Sequence, residues 1–158
     1  MSILKKYYKE RKVISIVDFG CGDCQVIKLL KDEGYDVLGL DATPYSNASF
    51  VQKRDLSKMI RLPKTYDFVQ SFEVGEHIYT EFEDVFISNL VWNAERGLIL
   101  SWAVEGQNGF HHINTHNNDY IIAKIEGYGF KYNKELSSEF KAQFDNWFKN
   151  SLMVFDRV

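Results

Sequence analysis

Ile-Val-Asp-Phe-Gly-Cys-Gly-Asp-Cys, at residues 16–24, is an apolar run that leads into a turn containing two glycines. The β-branched residues before the turn have the pattern of a strand, and apolar side chains recur at helical spacing over 24–31. Because neither Gly20 nor Gly22 carries a Cβ atom, the backbone can turn tightly there and approach a ligand closely. The amides at the start of the following helix would point at that ligand. This stretch therefore predicts a strand, turn and helix that bind a cofactor.

An acidic residue follows the next apolar segment. Asp41 comes 21 residues after Gly20, about where a second parallel strand holds a carboxylate against ribose hydroxyls in nucleotide-binding sheets. The dinucleotide pattern G-x-G-x-x-G is not met, because Gln25 stands at the position of its third glycine. This departure argues against a nicotinamide cofactor.

The pattern that is present is D-x-G-x-G-x-C, in which Asp18 lies two residues before the first glycine. It resembles motif I of the class I S-adenosylmethionine-dependent methyltransferases, in which the methionine portion of the cofactor lies over the turn. Cys24 occupies the third glycine position of that motif. Since cysteine is small, we expect a weaker backbone approach to the cofactor rather than a blocked site. The resemblance implies that the cofactor is S-adenosylmethionine.

Further motifs extend the resemblance along the chain to about His112. Asp41 matches the ribose-binding acid of the family, and Asp55 ends a third apolar segment, where the family's acid faces the adenine amino group. Residues 73–78, Glu-Val-Gly-Glu-His-Ile, look like the segment that directly follows the family's fourth strand. On this resemblance, the residues that hold the cofactor or support its turn are Asp18, Gly20, Gly22, Asp41, Asp55 and Glu73.

The predicted strands and helices alternate along the chain, which favours a mostly parallel sheet covered on both faces. We predict a Rossmann-like, doubly wound α/β fold with a seven-stranded sheet, in one domain that spans 1–158. In the family the last strand runs antiparallel, between the fifth and the sixth. The predicted strands are 13–19, 36–41, 50–54, 66–72, 97–103, 129–133 and 152–155, and the predicted helices are 24–33, 80–94, 117–127 and 136–149.

Composition and charge limit the expected partners. A hydrophobic content of 45% in 158 residues supports one core. No run of about 18 apolar residues occurs, and the amino terminus lacks the features of a secretory signal, so we expect a cytoplasmic protein with no membrane partner. The net charge of −3 argues against broad nucleic-acid binding, although a local site remains open. Little chain precedes the first predicted strand to form a lid, which predicts an open site or one covered by a second subunit in a homodimer.

Two histidines are the candidate catalytic residues. Methyl transfer is an in-line displacement, so the enzyme must align the acceptor and accept its proton. His77 follows the fourth predicted strand, and His112 lies in the polar loop 105–116 after the fifth, at strand ends where open α/β sheets bind ligands. We expect this loop to line the acceptor site. His77 also fits a residue that packs or caps at the start of a helix.

The same part of the chain also fits a metal site. Glu73, Glu76, His77 and His112 resemble the two-glutamate, two-histidine site of the small-RNA 2′-O-methyltransferases. Mixed carboxylate and imidazole ligands suit Mn²⁺ or Fe²⁺ better than Mg²⁺. Because the Glu-x-x-Glu-His string also occurs in class I members that hold no metal, the metal site stays an alternative and our site assignment contains no metal ligand.

The function that these motifs imply is methyl transfer from S-adenosylmethionine to a small-molecule acceptor, most simply a hydroxyl. The Pro-Pro string of enzymes that methylate exocyclic amino groups is missing after Ser71, and neither Pro44 nor Pro63 precedes a cysteine, as cytosine C5 chemistry requires. Two alternatives stay open. One is metal-assisted 2′-O-methylation of RNA, and the other is a non-catalytic module that only binds S-adenosylmethionine.

Overall fold

The computed structural model describes residues 2–158. The strands of this range are Ser15–Phe19 (β1), Asp36–Asp41 (β2), Val51–Lys53 (β3), Tyr66–Phe72 (β4), Ala94–Ser101 (β5), Phe130–Tyr132 (β6) and Leu152–Arg157 (β7). Its α-helices are Ser2–Glu10 (α1), Gln25–Asp32 (α2), Glu83–Asn93 (α3), Asn118–Glu126 (α4), Lys134–Lys141 (α5) and Phe148–Ser151 (α6). Two short 3₁₀ helices, Gly75–His77 and Thr80–Phe82, lie between β4 and α3.

The seven strands form one sheet in the order β3-β2-β1-β4-β5-β7-β6. Neighbouring strands from β3 to β5 pair in parallel, whereas β7 pairs antiparallel with both β5 and β6. The predicted seven-stranded, doubly wound sheet with an antiparallel last strand is therefore confirmed. Because parallel strands need crossover connections, helices cover both faces of the sheet.

Side chains of the central strands point alternately to two hydrophobic clusters, one on each face. Val17 and Phe19 of β1 enter the cluster that contains Phe86 and Trp102. Ile16 enters the other cluster, together with apolar side chains of α1, α2 and α5. Because both faces of these strands are buried, most residues in them are apolar. The strands are therefore largely apolar runs in the sequence, and this is why their positions could be predicted closely.

The carboxyl-terminal end of the chain differs from the prediction, since the helix expected over 136–149 is two helices. The side chain of Asn133 accepts a hydrogen bond from the amide of Leu136, so α5 begins earlier than the apolar pattern indicated. After α5 ends, the side chain of Asn146 accepts a bond from the amide of Phe148, which starts α6 anew. The non-helical segment 142–147 lies between these two helices, and its Phe144 lines a cavity.

Helix α1 packs against the sheet, and its charged side chains lie on the other side. Leu4, Tyr7 and Tyr8 are buried in the core. Lys5 forms an ion pair with Glu33, at 2.5 Å. The helix is thus part of the folded core. None of the helices within residues 2–158 combines the length and the apolar character that crossing a bilayer requires.

Candidate active site at the carboxyl ends of β1 to β4

The glycine turn after β1 adopts backbone angles that favour glycine. Gly20 has φ +94° and Gly22 has φ +50°. A Cβ atom at Gly20 would lie 2.3 Å from Cγ2 of Val74, so no other residue fits there without displacement of the loop after β4. A Cβ atom at Gly22 would meet nothing within 4 Å, because this part of the turn faces open space. The turn therefore forms the floor of a cleft.

Cys24, which departs from the family pattern, does not face the cleft. It adopts a left-handed conformation, with φ 59°, at the residue before α2. Its side chain is buried and its thiol lies 3.4 Å from the carbonyl oxygen of Gly22. The residue thus adopts a left-handed backbone conformation that favours glycine and places its sulfur in the core.

Asp41, at the end of β2, is tied to the glycine turn. One carboxylate oxygen accepts a hydrogen bond from the amide of Gly22, at 2.9 Å, and the other accepts one from the amide of Thr43, at 2.8 Å. Since a carboxylate offers about four lone-pair sites, Asp41 retains acceptor capacity for a ligand. The carboxylate is held rigidly at the edge of the cleft.

A cleft of about 500 Å³ joins the ends of the first four strands. Its lining contains six of the eight residues that the sequence singled out, namely Gly20, Gly22, Asp41, Asp55, Glu73 and His77. The other two, Asp18 and His112, are not part of this lining. The size is that of a site for a cofactor or another small molecule.

The charges that line this cleft are all negative. Asp41, Asp55 and Glu73 contribute three carboxylates, and none of the lining residues is a lysine or an arginine. Hydrogen bonds from the side chain and the backbone of Ser57 lower the pKa of Asp55, which keeps this group ionised. The cleft therefore favours a cationic ligand over one that carries phosphates.

Asp18 lies beneath the turn and is buried. Its Oδ2 accepts a hydrogen bond from Nε2 of Gln70, at 2.8 Å, whereas its Oδ1 has no hydrogen-bond partner. Burial raises the pKa of Asp18 to about 7. Gln70, a polar residue within an otherwise apolar strand, is the one sequence signal that could have revealed this pair.

This raised pKa predicts a pH dependence of stability. The native state holds the Asp18 proton more tightly than the unfolded chain does, so ionisation of Asp18 costs stability as the pH rises from about 4 to about 7. Asp18→Asn keeps an acceptor for Gln70 and avoids that cost. We expect the variant to gain stability relative to the wild type over this range, by up to about 4 kcal/mol above pH 7. Urea unfolding at several pH values measures the free energy of unfolding of both proteins. Asp145→Asn, at an exposed position, is the control. If the difference in unfolding free energy between the wild type and Asp18→Asn were the same at every pH, the prediction would be contradicted.

Glu73 forms hydrogen bonds with side chains from three different segments of the chain. It has φ +53°, an unfavourable conformation for a residue other than glycine, and its amide donates to Oγ of Ser101, at 2.8 Å. Its carboxylate accepts hydrogen bonds from Nε2 of Gln107, at 2.6 Å, and from Oγ of Ser151, at 3.2 Å. Nothing in the sequence marked the two serines, which come from β5 and from the residue before β7.

Glu76 lies one turn further on and is fully buried. Neither of its carboxylate oxygens has a hydrogen-bond partner. Burial, together with the nearby carboxylate of Glu73, raises the pKa of Glu76 to about 8. A buried carboxyl group without partners is costly, which points to a proton or a cation as its natural partner.

His77 and His112 face Glu76 as a pair. Their rings are 5.1 Å apart, and Nε2 of His112 lies 4.0 Å from Oε1 of Glu76. Nδ1 of His77 lies 3.0 Å from the carbonyl oxygen of His111, and Nδ1 of His112 lies 3.0 Å from that of Gln107. Because a carbonyl only accepts, both Nδ1 atoms carry a proton, which leaves Nε2 of each ring as the atom that can accept a proton or bind a metal.

The structure brings together three of the four residues of the alternative metal site. One potential ligand atom each of Glu76, His77 and His112 lies within 4.8 Å of the others. Glu73 is instead held by Gln107 and Ser151, although its carboxylate is near enough to affect the pKa of Glu76. The hydrogen bonds of the two Nδ1 atoms are those that orient metal-binding histidines, so the donor set fits a divalent ion.

A buried network that the sequence did not reveal holds the loop of His112 in place. Glu83 is buried at the start of α3 and accepts hydrogen bonds from the side chains of Asn114, His116 and Tyr120. Burial works to raise the pKa of Glu83, but the bonds from Tyr120 and Asn114 outweigh it and hold the pKa below its usual value. Asn114 and His116 thus support the loop.

Gly75 allows the segment after β4 to pack closely against the segment after β5. A Cβ atom there would lie 2.2 Å from the indole of Trp102, so only glycine lets the exit of β4 pack on the exit of β5. Nε1 of Trp102 in turn donates to the carbonyl oxygen of Asn114, at 2.6 Å. The contact places Glu76 beside the loop of His112.

No protein-family model and no curated protein sequence matches this chain. Solved structures do match it. Magnesium protoporphyrin IX methyltransferase from Synechocystis, solved with bound SAH, is 20% identical with a TM-score of 0.73, over 99% of this chain and 82% of that chain. The methyltransferase domain of a bacterial Hen1 protein is 16% identical with a TM-score of 0.70, over 99% and 96%.

A sugar N-methyltransferase from Streptoalloteichus is 12% identical with a TM-score of 0.74, over 98% of this chain and 85% of that chain. A second structure of the magnesium protoporphyrin enzyme holds SAM. These neighbours differ in the acceptor that their names state, while their architecture is common. The chain therefore has the fold of the class I S-adenosylmethionine-dependent methyltransferases, as the glycine turn predicted.

Proposed function

We propose that this chain transfers a methyl group from S-adenosylmethionine to a small-molecule acceptor, most simply to a hydroxyl. The observation that carries the proposal is the cleft itself. A glycine turn and three carboxylates from four successive strand ends converge on it, and no lysine or arginine lines it. S-adenosylmethionine is cationic at its sulfonium and ammonium groups, so this charge pattern favours it over nucleotides with phosphates.

The chain offers a partner for each part of the cofactor. Asp41 has acceptor capacity for the ribose hydroxyls, and the open space above Gly22 accommodates the methionine portion. Asp55 and Glu73 both line the cleft, and we assign Asp55 to the adenine end of the cofactor and Glu73 to its methionine end. We assign Asp18, which is buried beneath the turn, to support the turn itself. Neighbours with SAM or SAH bound share this architecture.

When bound, S-adenosylmethionine supplies an electrophilic methyl group on a positively charged sulfur. In such a transfer a lone pair of the acceptor oxygen would form the new bond to carbon, and the electron pair of the broken bond would stay on sulfur. The task left to the protein is to orient the acceptor and take its proton. We assign this task to His77 and His112, whose Nε2 lone pairs are presented by hydrogen bonds at Nδ1.

A second candidate function is metal-assisted methylation of a ribose 2′-hydroxyl in RNA. The observation that favours it is the group Glu76, His77 and His112, in which the buried carboxylate has no hydrogen-bond partner. A divalent ion there would offset the cost of burying Glu76 and bind the acceptor oxygen as a Lewis acid. The bacterial Hen1 methyltransferase domain is among the structural neighbours.

Binding and turnover separate these functions from a module that only binds the cofactor. We expect titration calorimetry to show S-adenosylmethionine binding, and we expect S-adenosylhomocysteine to form with some member of a panel of phenols, alcohols and amines. Turnover of RNA alone, dependent on added Mn²⁺, would favour the second candidate. Binding without turnover on either panel would favour the non-catalytic module, and a protein that binds no S-adenosylmethionine would refute the proposal.

A further inference from the structure

A second cavity, wholly apolar, adjoins the cofactor cleft. It has a volume of about 200 Å³, and all seven residues that line it carry apolar side chains. Four of these are phenylalanines, namely Phe72, Phe140, Phe144 and Phe148. The remaining wall comes from α1, from α2 and from the start of β7. None of the functions assigned so far uses this space.

The cavity lies next to the cofactor cleft and shares one wall residue with it. Phe72, the last residue of β4, lines both. The next residue, Glu73, lines the cleft and is bound by Ser151, which directly precedes the cavity residue Leu152. The boundary between the two spaces therefore lies at the end of β4, where the methionine part of the cofactor is expected.

The aromatic walls of the cavity are formed by phenylalanines that pack against one another. The rings of Phe72 and Phe148 are 6.0 Å apart at 74°, and those of Phe144 and Phe148 are 5.2 Å apart at 62°. These tilted, edge-to-face contacts hold three of the four phenylalanines together in one aromatic wall of the cavity. Phe144 and Phe148 belong to the segment where the helix predicted over 136–149 is interrupted, so this interruption creates the cavity.

The size and polarity of the cavity define its ligand. An apolar cavity of about 150 Å³ holds a benzene ring, so the present one holds a single substituted ring. A charged or strongly polar group would lose its hydration there without gaining a partner, because no polar side chain lines the space. Only the boundary at Glu73 offers polar contacts.

We propose that the cavity binds the uncharged aromatic ring of the methyl acceptor, with the hydroxyl of that ring directed past Phe72 to the cofactor. This inference rests on the proposed methyltransferase function and names its substrate class as small phenols. Aromatic rings are favoured over saturated ones because ring edges and faces of the phenylalanines complement them. The site thus selects the acceptor by its shape and lack of charge.

The test uses phenol as the probe, with cyclohexanol and benzoate for comparison, in titrations of the full chain with and without S-adenosylhomocysteine. Val26→Trp places an indole from α2 into the cavity, and Lys28→Trp places the same side chain on the opposite, exposed face of that helix. We expect phenol to bind the wild type and Lys28→Trp equally, and Val26→Trp at least tenfold more weakly. Both variants should retain S-adenosylhomocysteine affinity.

Equal phenol affinity in Val26→Trp and the wild type would overturn the proposal. Benzoate binding as tightly as phenol would overturn the claim about charge, and equal binding of cyclohexanol would overturn the claim about aromatic rings. If Val26→Trp fails to fold, Val26→Met fills part of the space and should weaken phenol binding in the same direction. Phenol binding without cofactor binding would refute the proposed function alone, so the two failures are distinguishable.

Discussion

Replacement of Asp41 by alanine is expected to weaken S-adenosylmethionine binding about ten- to a hundredfold. The Asp41 carboxylate can accept two hydrogen bonds from ribose hydroxyls, and bonds to a charged group contribute about 1.5–3 kcal/mol each. The substitution also removes the anchors of the Gly22 and Thr43 amides, at 2.9 and 2.8 Å, so the turn under the cofactor loosens. Titration calorimetry of the folded variant measures the loss.

Asp36 provides a matched control at the opposite end of the same strand. It is exposed and forms a surface ion pair with Lys64, which contributes little to stability. Asp36→Ala should therefore leave cofactor affinity unchanged. Asp41→Asn keeps one acceptor oxygen and should bind with an intermediate affinity. Wild-type affinity in a folded Asp41→Ala protein would remove Asp41 from the cofactor site and undermine the assignment of the cofactor.

Replacement of His112 by alanine is expected to lower turnover about a hundredfold or more while cofactor affinity stays nearly intact. The lone pair of Nε2 is directed into the site because Nδ1 donates to the carbonyl oxygen of Gln107. His112 does not line the cofactor cleft, so its loss should affect the acceptor step and not cofactor binding. Added imidazole should restore part of the activity if His112 acts as the base. Unchanged turnover would remove His112 from the mechanism.

The metal alternative predicts further effects of chelation and of substitutions at His112 and its neighbours. Activity should fall on chelation and return with Mn²⁺ or Mg²⁺, and elemental analysis should find less metal in Glu76→Ala, His77→Ala and His112→Ala. Glu73→Ala tests whether the fourth residue of the set also contributes. Glu81, an exposed glutamate in the next short helix, provides the control, and Glu81→Ala should retain full metal content. Full activity in chelator with no bound metal would eliminate the metal alternative.

The sequence predicted the strands well because a doubly covered sheet requires long apolar runs between turns. The helix predicted over 136–149 was wrong at its start and at its centre, because α5 begins at the Asn133 cap and α6 begins anew after Asn146, and apolar spacing reveals neither. The aromatic cavity follows from that break. Apolar spacing alone could not predict it, because its lining residues come from segments far apart in the chain.

The acidic residues at the strand ends could also be predicted from the sequence, for a related reason. Parallel strands bring their carboxyl ends to one edge, so polar residues that directly follow apolar runs must meet there. Asp41, Asp55 and Glu73 accordingly line one cleft with the glycine turn. The roles of His77 and His112 remain predictions, because proximity to the cleft does not by itself establish catalysis.

The sequence by itself determined the order of the strands, the glycine turn and the acids around the cleft, since these depend on local pattern and on the rules of parallel sheets. Only the tertiary structure decided that Glu76 is buried without a partner, that Glu83 anchors the loop of His112, and that Ser151 reaches Glu73. These contacts join residues far apart in the chain. Their geometry depends on how loops and the antiparallel last strand pack, for which a local pattern contains no signal.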